Sequence, residues 1–501
     1  LKLAKTYPYP SSAAIHSQMR YISKNIFLNT IFCPALGWRL KNEKIHEELS
    51  PGTLFRMEQG KEIGKLAREL HPDGIPISEP DSVSSARVTQ EYLRNPKKRV
   101  LFEGTFLADN YVAKADIILQ HGKGWDLIEV KSSVKQSQEH IDDMAYTTLV
   151  ALKSGFRPSK IFLQILDKNY RLGQPLKNLF TMVDCTTDVS ERADEFSRVF
   201  GEVNRIASLP DEPEVRLTLN CKQCEYFERC AGEEIKEHIF HVPRLSQKNT
   251  ESLIAKGIVS IHDIPPNFPL TELQKQMVEC IKCGTVSVDG ALREKLEEIR
   301  WPAYYLDFET TMTAIPLFAD LAPYDKFPTQ YSIHICDRCG HILEHRDYLA
   351  DPSHDCRREL TERLINDLSG KGSIISYSSF EKTVITGLCV TFPDLEEELK
   401  GLLERLVDLE KCVKCVQHPQ FRGRTSIKIV LPALVPDLSY DGYEIADGDT
   451  AMVTYALMAK GMMDAEEMEQ KRIALLRYCM LDTHAMVRLH EKLFELVNDQ
   501  C

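Results

Sequence analysis

Three residues in two neighbouring apolar runs have the types and spacing that metal-assisted phosphodiester cleavage needs. WDLIEVKSS, Trp125 to Ser133, reads as a strand carrying Glu129 and Lys131 two positions apart. Strand side chains alternate faces, so these two project together and Val130 is expected in the core. KADIILQ places Asp116 at the start of an earlier strand-like run. Carboxylates converging there can hold a divalent ion, and the lysine can orient or activate a water. The same letters also describe an exposed ion pair at a strand end. A second group stands near the C-terminus. Asp307 and Glu309, ending the strand-like WPAYYLDFETT, share a face by the two-residue period. Tyr478 and Asp482, in LLRYCMLDTHAMVRLHEKL, are one helical turn apart and share a helix face.

The elements that must position these groups belong to a chain too long for one ordinary domain. Its 501 residues, 43% hydrophobic and 27% charged, have a soluble globular composition. No apolar run approaches a membrane span and the start lacks a signal-peptide pattern, so a cytoplasmic protein without a membrane partner is expected. A net charge of −12 does not exclude a nucleic-acid partner, because acids used as metal ligands contribute to it and net charge does not say what a cleft binds. Fifteen cysteines in such a chain point to metal or cluster ligation rather than disulfides. Four pairs have CxxC spacing: Cys221/Cys224, Cys280/Cys283, Cys336/Cys339 and Cys412/Cys415.

In residues 1–235, LNTIFCPALGWRLKN and FRMEQGKEIGKLARELHPDG read as helical, the second stopped at Pro72-Asp73-Gly74. The opening to about Pro10 has no periodicity. RVLFEGTF, YVAKADIIL and WDLIEVK read as strands, and QEHIDDMAYTTLVALKSG as an amphipathic helix ended by Gly155. KIFLQIL, LFTMVD and a helix near Glu191–Ile206 complete the segment. This order resembles the PD-(D/E)XK nuclease core of RecB-like enzymes. The resemblance implies Asp116, Glu129 and Lys131 as catalytic residues, and Asp142 and Tyr146 in the place of the Gln-x-x-x-Tyr motif, with Asp for Gln. Glu103 is within reach by position. The family's N-terminal histidine would fall at Gly64, which leaves one ligand missing or supplied elsewhere, with Glu58 a weak candidate.

Cys33, far upstream, and Cys221, Cys224 and Cys230, just after this core, resemble the cysteines of iron–sulfur RecB-like nucleases, a class that includes CRISPR-associated adaptation nucleases and AddB-type helicase–nucleases. Four thiolates suit a [4Fe–4S] cluster closing a long loop. A four-cysteine zinc site and buried free thiols are the alternatives.

Residues 236–299 read as a helical connector. Two short helices around Lys256-Gly257-Ile258 resemble a helix-hairpin-helix without its second glycine, which implies Lys256 at a nucleic-acid phosphate. A plain helical linker is the alternative. Cys280 and Cys283 read as incidental thiols.

Residues 300–501 resemble DnaQ-like, DEDD-type exonucleases with an RNase H-like fold. Asp307-Phe308-Glu309 matches the first motif. FPTQYSIHI and HILEHRDYL form the expected hairpin around Cys336-Asp337-Arg338-Cys339-Gly340. Glu381, in GSIISYSSFEKTVI, stands where the family carries Asp, and Tyr478-x-x-x-Asp482 matches the third motif. The resemblance implies Mg²⁺ or Mn²⁺ held by Asp307, Glu309, Glu381 and Asp482, with Tyr478 orienting water. A degenerate domain without catalysis is the alternative, and Glu381 is the feature that favours it. Arg422, Arg424 and Lys428 form either a phosphate-tracking patch or a solvated basic loop. Cys336, Cys339, Cys412 and Cys415 can make a Zn²⁺ site if the fold joins them.

Taken together, the chain resembles a bacterial family that fuses a RecB-like nuclease to an RNase H-like domain. An α/β protein follows: a restriction-endonuclease-like domain, a small helical connector and an RNase H-like domain. The implied activity is metal-dependent hydrolysis of nucleic acid, DNA before RNA. A nucleic-acid-binding scaffold with one or both sites inactive, and a nuclease gated by cluster redox state, are the competing readings. Protein partners are not implied.

Overall fold

A computed structural model describes residues 21–43, 49–95, 99–232 and 235–498. Mixed sheets and helices make the chain an α/β protein. Contacts divide it into two units. The first comprises residues 1–48, 62–166 and 180–215, and the second residues 49–61, 167–179 and 216–501. The stretch read as a connector and the last segment both fall in the second. No helix among the described residues is long and apolar enough to cross a membrane.

The strands are β1 (Ile75–Pro76), β2 (Val100–Ala108), β3 (Tyr111–His121), β4 (Gly124–Val130), β5 (Ile161–Leu166), β6 (Phe180–Asp184), β7 (Ser287–Val288), β8 (Ala303–Thr311), β9 (Phe327–Arg338), β10 (His341–Leu349), β11 (Ile374–Ser376), β12 (Leu406–Asp408) and β13 (Val416–Gln417).

In the first unit β1 to β6 form one sheet in sequence order. Turns make β2–β3–β4 an antiparallel meander. The helix Gln138–Lys153 crosses over so that β5 pairs parallel to β4, as such a crossover requires. Both sheet faces are covered. Leu127, with Met144, Leu149 and Phe196, belongs to one apolar cluster, and Ile128, with Phe102 and Ile117, to the other. The alternation is reset at one place. Pairing of β2 with β3 passes over Glu103 and Asp116, and Glu103 has a left-handed φ of 57°. A non-glycine residue in that region is strained, as at many sites where a strand bends to aim side chains. The expected helical region before Trp38 is two helices, Lys24–Phe32 and Pro34–Asn42, broken at the extended Cys33, because a residue before proline disfavours the helical region. The stretch to about Pro10 lies outside the described residues.

In the second unit the five-stranded sheet has the order β10-β9-β8-β11-β12. β10, β9 and β8 are antiparallel, while β11 pairs parallel to β8 and β12. Gly340, at φ 75°, turns the β9–β10 hairpin. Tyr304, Leu306 and Phe308 point into one apolar cluster, and Ala303 and Tyr305 into the other. By the two-residue period Asp307 and Glu309 belong to the second face. The long helix Ala465–Asn498 packs its Ala485, Met486, Leu489 and Leu493 on that face. Residues 236–299 carry a small apolar cluster of their own, including Ile239, Leu253, Phe268 and Ile281.

Around Lys256 the helix-hairpin-helix expectation is corrected. One α-helix, Gln247–Ala255, precedes the turn, but only a three-residue 3₁₀ turn, Ile261–Asp263, follows it. Pro265 and Pro266 prevent a second helix there. The Lys256 ammonium lies over the Phe268 ring, 5.9 Å from its centre.

Candidate metal centres

The second unit gathers carboxylates. Asp307 and Glu309 reach the site from β8, Glu381 from the first turn of the helix Phe380–Thr391, and Asp482 from the long C-terminal helix. Ligand oxygens of Asp307, Glu309 and Asp482 lie within 4.8 Å of one another. Glu381 is in hydrogen-bond contact with Asp307. Its Oε2 is buried without a hydrogen-bond partner, which is costly unless something else satisfies it. All four acids, with Tyr478 and Lys428, line a cavity of about 380 Å³.

Electrostatics follow from this crowding. Burial, followed by the Asp482 charge, raises Asp307 well above the usual carboxylate range. The same two causes push Glu309 up to about 8. Burial pushes Glu381 up to about 8. Asp482 rises only to about 6, because hydrogen bonds from Tyr440 and Tyr478 oppose its burial. The Tyr440 hydroxyl donates to Asp482 Oδ1 at 2.5 Å. Burial and then Asp482 raise the Tyr478 phenol, so it stays neutral and acts as a hydrogen-bond donor. Lys428 donates to the Ala446 carbonyl at 3.0 Å and lies over the Tyr440 and Tyr478 rings at 5.8 and 5.9 Å. Like charges this close in low dielectric cannot all ionise unless a cation joins them. The donor set therefore fits a hard divalent cation.

The three basic residues between the second and third motifs have different neighbours. Lys428 lines the acidic cavity. Arg422, at a left-handed φ of 47°, and Arg424 instead bear on His241. Gly423 ends that turn: a Cβ on it would sit 2.7 Å from the Pro243 ring.

The first unit pairs Glu129 and Asp143 with lysines and Asp116 with a backbone N–H. Asp116 Oδ2 accepts the Val130 N–H at 2.7 Å. Burial, followed by Glu129, pushes the Asp116 carboxyl up to about 8. Glu129 is buried and Val130 only half-buried, the reverse of the expectation for Val130. The reason is that the Glu129 face is covered by the helix Gln138–Lys153. Lys131, just past β4, meets Glu129 at 3.1 Å and also contacts Asp143. Lys24 meets Glu129 at 3.3 Å and Asp143 at 2.9 Å. Burial opposes charging Lys131, but Glu129 and Asp143 outweigh it and raise its pKa, so it is a cation rather than a base. Burial would raise Asp143, but Lys24 and then Lys131 hold it below the usual carboxylate range.

Tyr146 is a correction. It is fully buried, with its hydroxyl between the carbonyl oxygens of Ile22 at 2.6 Å and Val112 at 2.9 Å. Asp142, one helical turn before it, turns to Arg192 Nε at 2.8 Å. The helix is buried on several sides, so two residues of one helical face reach different neighbours. Asp143 takes the place at Lys131, and its only sequence signal was the Asp142-Asp143 doublet. Lys24 had no signal. Glu103 lies close enough to contribute to the Asp116 shift and pairs with Arg68 at 3.4 Å. A side chain at Gly64 would meet only Arg68 Nη2, at 3.9 Å. Glu58 is exposed and pairs with Lys61 at 3.2 Å.

Cys33 belongs to the first unit, and Cys221, Cys224 and Cys230 to the second. Cys221 stands on a 3₁₀ turn, Leu219–Gln223, Cys224 just past it, and Cys230 on a π-helical turn, Glu228–Gly232. Cys336 and Cys412 are buried in one apolar cluster. The shift of Cys336 involves burial and Cys339, and that of Cys412 burial and Cys415. Among the described residues, the groups of three or more metal donors are Asp307/Glu309/Asp482 and His354/Cys356/Glu359, so a site shared by those two CxxC pairs is not among them. Cys280 is buried, with its thiol 3.0 Å from the Thr285 carbonyl oxygen, and Cys283 is exposed.

A family model described as a domain of unknown function (DUF2779) matches residues 304–426. This span includes Asp307, Glu309 and Glu381 and ends before Tyr478 and Asp482. An uncharacterized MG366 homolog from Mycoplasma pneumoniae is 21% identical over 235 residues, 43% of this chain and 35% of that protein. The uncharacterized protein MG366 of Mycoplasma genitalium is 23% identical over 225 residues, 40% of this chain and 33% of its own length. The chain thus spans about a third of the curated relatives it matches.

Proposed function

We propose that this protein is a metal-dependent nuclease whose main centre is the Asp307–Glu309–Glu381–Asp482 group of an RNase H-like, DEDD-type domain. The observation that carries the reading is one cavity lined by these four acids, Glu381 and Asp482 buried and Asp307 and Glu309 half-buried, with Glu381 Oε2 left without a partner. The sheet order β10-β9-β8-β11-β12, with the first two acids on its central strand, supports the fold assignment. Divalent cations bound there supply charge stabilisation at the attacking and leaving oxygens of a phosphodiester. The chain's own residues do the rest. Tyr440 and Tyr478 hold Asp482 ready to ionise, and the neutral Tyr478 hydroxyl orients a water. Lys428 brings the cation that contacts a phosphate. Glu381, longer by one methylene than Asp, reaches Asp307 from a helix start, which supports an active rather than a degenerate site.

The first unit we assign to a PD-(D/E)XK domain with Asp116, Glu129, Lys131 and Asp143. Its lysine-paired carboxylates favour a second reading for this unit, in which it grips nucleic acid and contributes little cleavage. DNA is the proposed substrate and the cytoplasm the proposed setting. A [4Fe–4S] cluster on Cys33, Cys221, Cys224 and Cys230 remains part of the proposal, tested by iron and sulfide content after anaerobic purification. The deciding experiment is incubation of end-labelled single- and double-stranded DNA and RNA with the protein and Mn²⁺. Metal-dependent cleavage abolished by Asp307→Asn is the expected result. Bound metal without cleavage of any substrate would overturn the nuclease reading and leave a binding scaffold.

A further inference from the structure

Outside both acidic centres, one cluster combines nitrogen, sulfur and oxygen donors. Ligand atoms of His354, Cys356 and Glu359 lie within 4.8 Å of one another. Cys356 immediately precedes the helix Arg357–Asp367, and Glu359 is three residues further on. That spacing brings a residue before a helix and one in its first turn to the same side. His354, on the turn before the helix, places Nε2 3.2 Å from Cys356 Sγ. Donors around tetrahedral zinc stand about 3.5 Å apart, from metal–sulfur and metal–nitrogen bonds of about 2.3 and 2.0 Å.

We propose that His354 Nε2, Cys356 Sγ and the Glu359 carboxylate form a binding site for a zinc-class divalent ion, separate from the acidic centres. Four observations support it. The other imidazole nitrogen, Nδ1, is 3.1 Å from Ser353 Oγ, the kind of outer partner that fixes a ligating histidine. The Tyr348 hydroxyl, near the end of β10, is in hydrogen-bond contact with both Cys356 and Glu359. One imidazole, one thiolate and one carboxylate carry two negative charges, which balance a divalent ion. The mixed sulfur–nitrogen–oxygen set selects zinc over the magnesium or manganese suited to all-oxygen centres.

Cys356 is buried whereas His354 and Glu359 are exposed, so the metal's remaining position faces solvent. Binding deprotonates the thiol and releases its proton to the buffer. The ion would tie the turn after β10 to a helix anchored by the buried Leu360 and Leu364.

The test is a Co²⁺ titration of the metal-free full chain, read by thiolate-to-cobalt absorption, with Zn²⁺ as competitor. Compared with the parent, Cys356→Ser should bind one ion fewer and lose one thiolate's absorption. His354→Ala, an exposed position that spares the fold, should weaken that ion by more than the about tenfold cost of losing an outer partner. Asp307→Asn should leave the absorption unchanged. If His354→Ala binds the same number of ions with the parent's absorption and affinity, the site is overturned, even if Cys356→Ser fails to fold.

Discussion

The two acidic centres differ in how many of their acids are paired with lysines. In the first unit Lys24 and Lys131 stand at 2.9–3.3 Å from the carboxylates, apart from a still closer Lys131–Asp143 contact. In the second, Glu309 and Glu381 are pushed up to about 8 and Asp307 well above its usual range, with Lys428 the lysine that bears on Glu309 and Asp482. In the first centre the chain's own lysines compensate Glu129 and Asp143, while Asp116 is still pushed up to about 8. The second is left in deficit, and a divalent cation removes that deficit. A site's demand for metal is thus set less by its number of acids than by what already compensates them.

The largest test of this contrast is catalytic. Asp307→Asn or Asp482→Asn should lower Mn²⁺-dependent turnover of labelled DNA by about 10²–10³-fold, and Lys131→Ala by much less. A larger loss from Lys131→Ala would reverse the ranking. Next comes Tyr440→Phe. It removes the 2.5 Å hydrogen bond that holds Asp482 near 6, so the acidic limb of the pH–rate profile should move up by about one unit.

Stability should show the same deficit. Acids with raised folded pKa values keep protons that the unfolded chain releases, so folding stability falls as pH rises. For the metal-free protein the loss should run from the ordinary carboxylate range to about 8, where Glu309, Glu381 and the first unit's Asp116 ionise. Thermal melts should show a falling Tm across that window. Mn²⁺ should flatten it, and Glu309→Gln should reduce its slope. A slope unaffected by Mn²⁺ would place the titration elsewhere. The smallest effect belongs to Lys24→Ala. Removing a half-exposed competitor worth up to about 1 kcal/mol should tighten Mn²⁺ binding to the first unit by a few-fold in calorimetry.

Much of the scaffold is legible in the sequence. Strands β2 to β6 and β8 to β11 coincide with the apolar runs, because a buried strand writes its two-residue period into the sequence. Glu381 and Asp482 were legible through the resemblance to DEDD-type exonucleases, Asp482 standing one helical turn after Tyr478. The miss at Tyr146 has a physical cause. Helical periodicity says which residues share a face, but the helix Gln138–Lys153 is enclosed on several sides, and neighbouring side chains therefore meet different partners.

The sequence by itself pointed to Asp116 and Glu129, to Asp307 and Glu309, to the strands that carry them and to the glycine that turns the β9–β10 hairpin, because these depend on local spacing. Tertiary structure alone decided that Lys24 and Asp143 enter the first centre and that Tyr440 steadies Asp482. It also decided that Lys428 faces acids while Arg422 and Arg424 face His241. Most of those encounters join residues far apart in sequence, Lys24 and Glu129 standing 105 positions apart, and nothing in local periodicity encodes which distant side chain arrives to compensate a buried charge.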